Sequence, residues 1–411
     1  MVNHRTLPLL SLLTVLSVTA CNSHESIREG GGGTIQTLPQ GAGGSHLPHQ
    51  HPVAEPHKAR QAAETQVLDM TKMQELSAII ARLSESRVVY VGETHDRFGH
   101  HLNQLEIIRE LHRRNPDLAI GMEFFQQPFQ SYLDSYITRR SSEREMLLGT
   151  EWFDRWRFDY RLYRPIMQYA REQRIPVIAL NVARELTDRV SEVGIAGLSQ
   201  QERAMLPQQL DSSDASYRQR IRAVYQGHPH AGSGSFERFL EVQLTWDEGM
   251  AERVASYLKA HPERNMVVLA GSGHLMYGNG IPHRVARRLP IVSRILLPAD
   301  KLALNPGVAD FVLYPAPVEL PHAGLMGVLL DDGDQGVRIS KVLPKSAAGQ
   351  AGIAQGDLIQ RLNSARINSV AELRIVMLDL SPGDRVQLEV VRKQMVWGKE
   401  VLQFDFALGG E

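Results

Sequence analysis

The 411-residue chain carries 45 basic and 46 acidic residues with no long run of either sign, so it lacks the basic footprint that nucleic-acid binding demands. It exceeds the roughly 250–300 residues at which a single core stops growing, so two folded units plus tails are expected. Cys21 is the one cysteine, which excludes an intrachain disulfide and any cysteine-based metal site and leaves the sixteen histidines to carry soft ligation.

Residues 1–20 hold Arg5, an apolar stretch from Leu7 to Val18, and small residues before Cys21. The stretch is shorter than the ~20 residues of a spanning helix and reads as a signal peptide. Val18-Thr19-Ala20-Cys21 resembles the bacterial lipoprotein box, which implies an acylated Cys21 and a membrane anchor. Asn22 resembles the residue that follows the cysteine in lipoproteins sorted to the outer membrane, so the expected location is that membrane, facing the periplasm or the surface. Residues 21–61 contain the Gly30 to Gly33 run, scattered prolines and His24, His46, His49, His51 and His57. Too few large apolar residues are present to fold, so a flexible tether is expected. A His-rich tract also binds metal ions loosely, but the irregular spacing favours the linker.

Over residues 62–314, four short apolar runs repeat: Val88 to Val91, Leu118 to Met122, Val177 to Leu180 and Met266 to Ala270, with a further run at Ile291 to Leu297. Segments of helical periodicity separate them. Leu102, Leu105, Ile108 and Leu111 mark one face, and Phe129, Tyr132, Leu133, Tyr136 and Ile137 another. This alternation predicts an α/β domain, a mostly parallel sheet covered by helices.

The strand ends differ chemically from their middles: Gly92-Glu93-Thr94-His95, Gly121-Met122-Glu123, Asn181 and Gly271-Ser272-Gly273-His274. Ligands bind outside the carboxyl ends of strands in such sheets. Glu93, His95, Glu123 and His274 are therefore expected to converge, where they suit metal binding, acid–base catalysis or a polar ligand.

Trp152 to Arg164 is dense in aromatic and charged residues and reads as a lid or as a strongly anchored connection. Its Arg157 is a candidate partner for a carboxylate of the cluster or of a ligand. Between Leu198 and Phe236 the sheet pattern stops, and a helical insertion brings Tyr217, Tyr225, His228 and His230. Such insertions form either a wall of the site or a plain surface excursion. The long helix that follows places Gln243 and Asp247 in an apolar stripe, where they are paired internally or face the site.

Gly92-Glu93-Thr94-His95-Asp96, Gly121-Met122-Glu123-Phe124, the helix bearing Gln243, Trp246, Asp247, Met250 and Ala251, and Gly271-Ser272-Gly273-His274-Leu275 followed by Gly280-Ile281-Pro282 together resemble the ChaN-like haem-binding lipoproteins of the Tiki/TraB/erythromycin-esterase superfamily. The resemblance covers about residues 65–300. It implies haem binding and iron acquisition at the outer membrane. Other branches of the superfamily are hydrolases, and by that resemblance Glu93, His95, Glu123 and His274 would bind a divalent metal ion or activate water. Haem iron accepts Tyr or His, which makes Tyr217, Tyr225, His228 and His230 candidate ligands, with Arg157, Gln243 and Asp247 as further cofactor contacts.

Pro315-Ala316-Pro317-Val318-Glu319-Leu320-Pro321 reads as a stiff linker over residues 315–321. Within residues 322–411, Gly352-Ile353-Ala354-Gln355-Gly356-Asp357-Leu358-Ile359, Pro382-Gly383-Asp384 and a strand from Val386 to Arg392 closely resemble a bacterial PDZ domain, a small β-barrel-like fold. Such domains take a peptide or protein C-terminus by strand addition. Leu325, Met326, Gly327 and Val328 match the carboxylate-binding loop. No phosphate-cradling glycine loop is present. The expectation is a haem-binding, outer-membrane-anchored lipoprotein that recruits a peptide partner, with a metal-dependent hydrolase as the alternative and a homo-oligomer left open.

Overall fold

The computed structural model describes residues 68–69, 71–227, 235–300, 302–394 and 398–410. The signal peptide, Cys21, the tether, His228 and His230 lie outside the described residues.

The first sheet contains β1 (Val88–Glu93), β2 (Leu118–Gln126), β3 (Val177–Asn181), β4 (Asn265–Gly271), β5 (Ser293–Pro298) and β6 (Phe311–Leu313). Its order is β3-β2-β4-β1-β5-β6, and every pairing is parallel. The apolar runs form strands because both faces are covered: Val89 and Val91 enter one core, Val88 and Tyr90 the other. β6 is an addition, three residues long and only half-buried, too short to declare itself by periodicity.

The covering helices used below are α1 (Phe98–Arg114), α2 (Glu143–Gly149), α3 (Trp152–Arg155), α4 (Arg164–Gln173), α5 (Ala215–Gln226), α6 (Phe236–Ala260) and α7 (Ile281–Arg288). α2 starts on a capping box in which the Ser142 and Glu145 side chains exchange hydrogen bonds with each other's backbone N–H. Asp214 caps α5 by accepting from Ser216 N and Tyr217 N.

The C-terminal unit contains β7 (Val328–Gly333), β8 (Gly336–Val342), β9 (Leu358–Leu362), β10 (Ala365–Arg366), helix α8 (Val370–Met377), β11 (Arg385–Lys393) and β12 (Lys399–Ala407). The strands are antiparallel in the order β12-β11-β9-β8-β7, with β10 on β9. β7 is an edge strand, and Leu329 on it is exposed. Among the described residues no helix is long and apolar enough to cross a membrane.

Candidate functional site

The site begins where β1 and β4 stop level with one another, since Glu93 and Gly271 are register partners on the last rung. Gly92 must lack a side chain here. A Cβ at that position would lie 2.5 Å from Leu297 Cδ2 and 2.9 Å from Ser272 Oγ, and that hydroxyl instead donates to Glu93 O at 3.1 Å. The chain then turns, and His95 folds back so that its Nδ1 meets Glu93 Oε1 in a very short contact.

Burial alone would push the Glu93 carboxyl up, but the His95, His101 and His100 imidazoles outweigh it and hold its pKa below the usual range. Burial likewise pulls His95 down, and the Glu93 charge and hydrogen bond reverse this and raise it to about 9. His95 is therefore an imidazolium at neutral pH. Trp156 and Phe158 flank it, each with its ring centroid 4.9 Å from the imidazole. His101 lies behind the pair, with Nε2 3.6 Å from Glu93 Oε2.

A second imidazole is held in the same way. His274 Nδ1 lies 2.5 Å from Asp247 Oδ1, and Tyr217 OH donates to Asp247 Oδ2 at 2.7 Å. Burial opposes the charge on His274, but Glu123 and Asp247 raise its pKa. Asp247 is shifted down: burial opposes this, and His274, Arg284 and the Tyr217 hydrogen bond prevail.

Glu123, just past Met122 where the pairing of β2 with β4 ends, stands between the two dyads. Its Oε2 accepts from Gly271 N at 2.7 Å, and its Oε1 lies 3.5 Å from His274 Nε2. A Cβ on Gly271 would sit 3.0 Å from His95 Cε1, 3.5 Å from His95 Nε2 and 3.6 Å from Glu123 Oε2. The absence of a side chain at Gly271 thus lets one imidazolium and one carboxylate both approach this backbone position closely.

Glu93, His95, Glu123 and His274 do gather at one edge, and Asp247 joins them. The arrangement does not suit a divalent ion: among the described residues no group of three or more His, Cys, Asp or Glu is placed to hold one.

The cofactor candidates from the sequence fare unevenly. Tyr217 is buried, donates to Asp247, and burial followed by the Asp247 charge raises its phenol well above the ordinary value, so it is a strut of the cluster rather than a free ligand. Tyr225, eight residues along α5, packs on Phe236 and Phe239, about 12 Å along the helix from Tyr217. Arg157 meets no cluster carboxylate; its left-handed backbone at φ 71° leaves it exposed, with Nε donating to Asp154 O at 3.1 Å. Gln243 is buried, and its amide nitrogen finds no partner among the described residues. The Trp152 to Arg164 stretch is an anchored connection, with Trp152, Phe153, Trp156, Tyr160, Leu162 and Tyr163 buried.

Two residues escaped the sequence reading. Arg220, one turn beyond Tyr217, donates from Nη1 to Gly273 O at 2.6 Å and from Nε to Asn279 Oδ1 at 3.0 Å, so α5 walls the site. Tyr277, three residues past His274, has a φ of 60°, an outlier for a bulky residue. It is 40 % exposed, its N–H donates to Val308 O at 2.9 Å, and its phenol accepts from Asn305 Nδ2 at 3.0 Å. Strained exposed residues of this kind collect at ligand clamps; proximity to the Gly-Ser-Gly-His motif was the available signal.

A family model for haem-binding uptake proteins of the Tiki superfamily, ChaN, matches residues 79–285, and a PDZ-domain model matches residues 324–402. Protein RETICULATA-RELATED 5, chloroplastic, of Arabidopsis thaliana is 26 % identical over 263 residues, 57 % of this chain and 35 % of that protein. The periplasmic pH-dependent serine endoprotease DegQ of Escherichia coli is 41 % identical over 61 residues, 15 % of this chain and 13 % of its own length. The chain thus spans about a third or less of these curated relatives. A solved structure of ChaN of Campylobacter jejuni with cofacial haem superposes with a TM-score of 0.49 at 16 % identity, covering 60 % of this chain and 93 % of that one.

Proposed function

The chain belongs to the ChaN group of haem-binding uptake proteins in the Tiki superfamily and carries a C-terminal PDZ domain, and on that premise we propose that it binds haem at the carboxyl edge of its parallel sheet. In this reading Cys21 is lipidated, the protein is anchored at the outer membrane and takes part in haem or iron uptake, and the PDZ domain recruits a partner's C-terminus. The observation that carries the reading is the family match across the α/β domain.

Tyr277 is the side chain that fits haem iron best. It offers an exposed phenol of the chemistry haem accepts, its orientation is fixed by Asn305, and Leu304, next to Asn305 in the chain, is exposed and would supply apolar surface for a porphyrin face. Haem brings the iron chemistry; the chain supplies the ligand and a wall. Titrating hemin into the purified protein should shift the Soret band at one equivalent per site, and Tyr277→Phe should weaken binding at least tenfold, about 1.4 kcal/mol. An unaltered hemin spectrum with the wild-type protein sinks the reading.

The placement of His95 and Glu123 on the same side of Gly271 favours a second reading, hydrolysis. A water beside Glu123 would give a proton to its carboxylate as the water oxygen bonds to a carbonyl carbon, and the His95 imidazolium would protonate the leaving oxygen or nitrogen as its bond to that carbon breaks. Ester or peptide cleavage that survives His95→Ala would remove it.

A further inference from the structure

Helix α8 forms one wall of the PDZ groove and carries two apolar faces. Leu373, with Val370, Val376 and Met377, belongs to the PDZ core. Ala371, Ile375 and Leu378, spaced i, i+4 and i+7, pack against the core of the α/β domain instead. Polar contacts ring this stripe. Arg144 Nη2 lies 2.7 Å from Glu372 Oε1, Arg164 holds both Glu143 and Asp379, and the Arg374 guanidinium stands 5.8 Å over the Phe153 ring. Arg161 Nη1 donates to Pro321 O at 2.9 Å, pinning the linker. Ion pairs that reach solvent are screened and contribute little, so the apolar stripe dominates the docking.

Phe153 and Trp156 are one helical turn apart. Phe153 meets Arg374 of the PDZ domain, and Trp156 sets its ring against His95 and donates from Nε1 to Tyr163 OH at 3.0 Å. One turn of α3 therefore separates the groove helix from the strand-end site. On the groove side, Val370 N donates to Asp332 Oδ1 at 2.8 Å, tying the start of α8 to β7. A peptide that adds to the open edge of β7 lies between that strand and α8, and a close-packed contact answers displacement by switching arrangement rather than by stretching.

We infer that the PDZ groove and the strand-end site are coupled through α8 and α3: a peptide entering between β7 and α8 shifts α8 on Phe153 and, through that turn, the Trp156–His95 contact. The coupling is independent of what the site holds, and it runs in both directions, since linkage is reciprocal.

The test is amide hydrogen exchange on the full chain, read at residues 152–158 in wild type, Ile375→Asp, Asp332→Ala, Arg144→Glu and the charge-swapped pair Arg144→Glu/Glu372→Arg. Ile375→Asp, which undocks α8, should speed exchange at residues 152–158 by about tenfold or more, as loss of a local cooperative contact does. Asp332→Ala, a surface change confined to the PDZ domain, should speed the same amides, and the swapped pair should restore what Arg144→Glu loses. Should Ile375→Asp fail to fold, the Asp332→Ala and charge-swap arms decide. Rates at residues 152–158 unchanged in Asp332→Ala while α8 itself opens would overturn the coupling.

Discussion

Asp247 and His274 meet at 2.5 Å from opposite sides of the site, one from the middle of the longest helix and the other just past the end of a central strand. The contact fixes the imidazole so that only Nε2 faces Glu123, and Tyr217 in turn fixes the carboxylate.

Asp247→Asn should therefore be costly. Breaking one partner out of a buried ion pair typically destabilises by about 3–5 kcal/mol, whereas Tyr217→Phe, which removes one hydrogen bond to a carboxylate, should cost about 1–3 kcal/mol. Denaturant unfolding measures both, and NMR titration should show the His274 pKa falling in Asp247→Asn.

The Glu93–His95 pair sets a pH dependence. His95 is raised from 6.5 to about 9, so its contribution to stability is complete below pH 6.5 and is lost as the pH climbs through about 9. Glu93 is lowered from 4.5, so its contribution is complete above that value and is lost as the pH falls below it. Thermal unfolding scans should give a melting temperature that declines between about pH 6.5 and 9, and Glu93→Gln should flatten that decline.

Gly271→Ala places a methyl beside His95 and Glu123, 3.0 Å from His95 Cε1. The His95 ring is partly exposed and has room to yield, so the expected cost is about 1 kcal/mol, at the low end for overpacking. Any reaction there should be abolished, while hemin binding at Tyr277 should persist. Calorimetry on the folded variant, together with an ester-hydrolysis assay and a hemin titration, separates the two.

Gly327→Ala addresses the PDZ domain. The residue has a φ of 77°, and an added Cβ would lie 2.3 Å from Ser346 Cβ. The loop from Leu325 to Val328 must then change shape, so a C-terminal peptide selected from a random library on the wild-type chain should lose at least tenfold in affinity by fluorescence polarisation, about 1.4 kcal/mol. Retained affinity would show that this loop does not receive the carboxylate.

The parallel strands were legible because Val88 to Val91 and Met266 to Ala270 are unbroken apolar runs, the mark of strands covered on both faces. The gathering of Glu93, His95, Glu123 and His274 followed from the topology rule for strand ends. The pairing of His274 Nδ1 with a carboxylate did not, because Asp247 reaches it from 27 residues away. Arg157 misled because its residue type suits a ligand clamp while a left-handed backbone turns it outward. Tyr277 was hidden for a related reason: its exposure and strain are properties of a turn, not of a pattern. The outer face of α8 also stayed hidden, since three apolar residues at helical spacing look the same whether they fill their own domain or dock on another.

The order β3-β2-β4-β1 leaves a slot between two strands that are consecutive in the chain, and β4 fills it only after the insertion and the long helix have been made. β1 and β2 are therefore not joined by backbone pairing until Gly271 and the rest of β4 arrive between them. A nascent or truncated chain that ends before this strand would hold both acids without the Gly271 N–H that Glu123 accepts from, so the strand-end cluster is completed only by a slow, non-local closure.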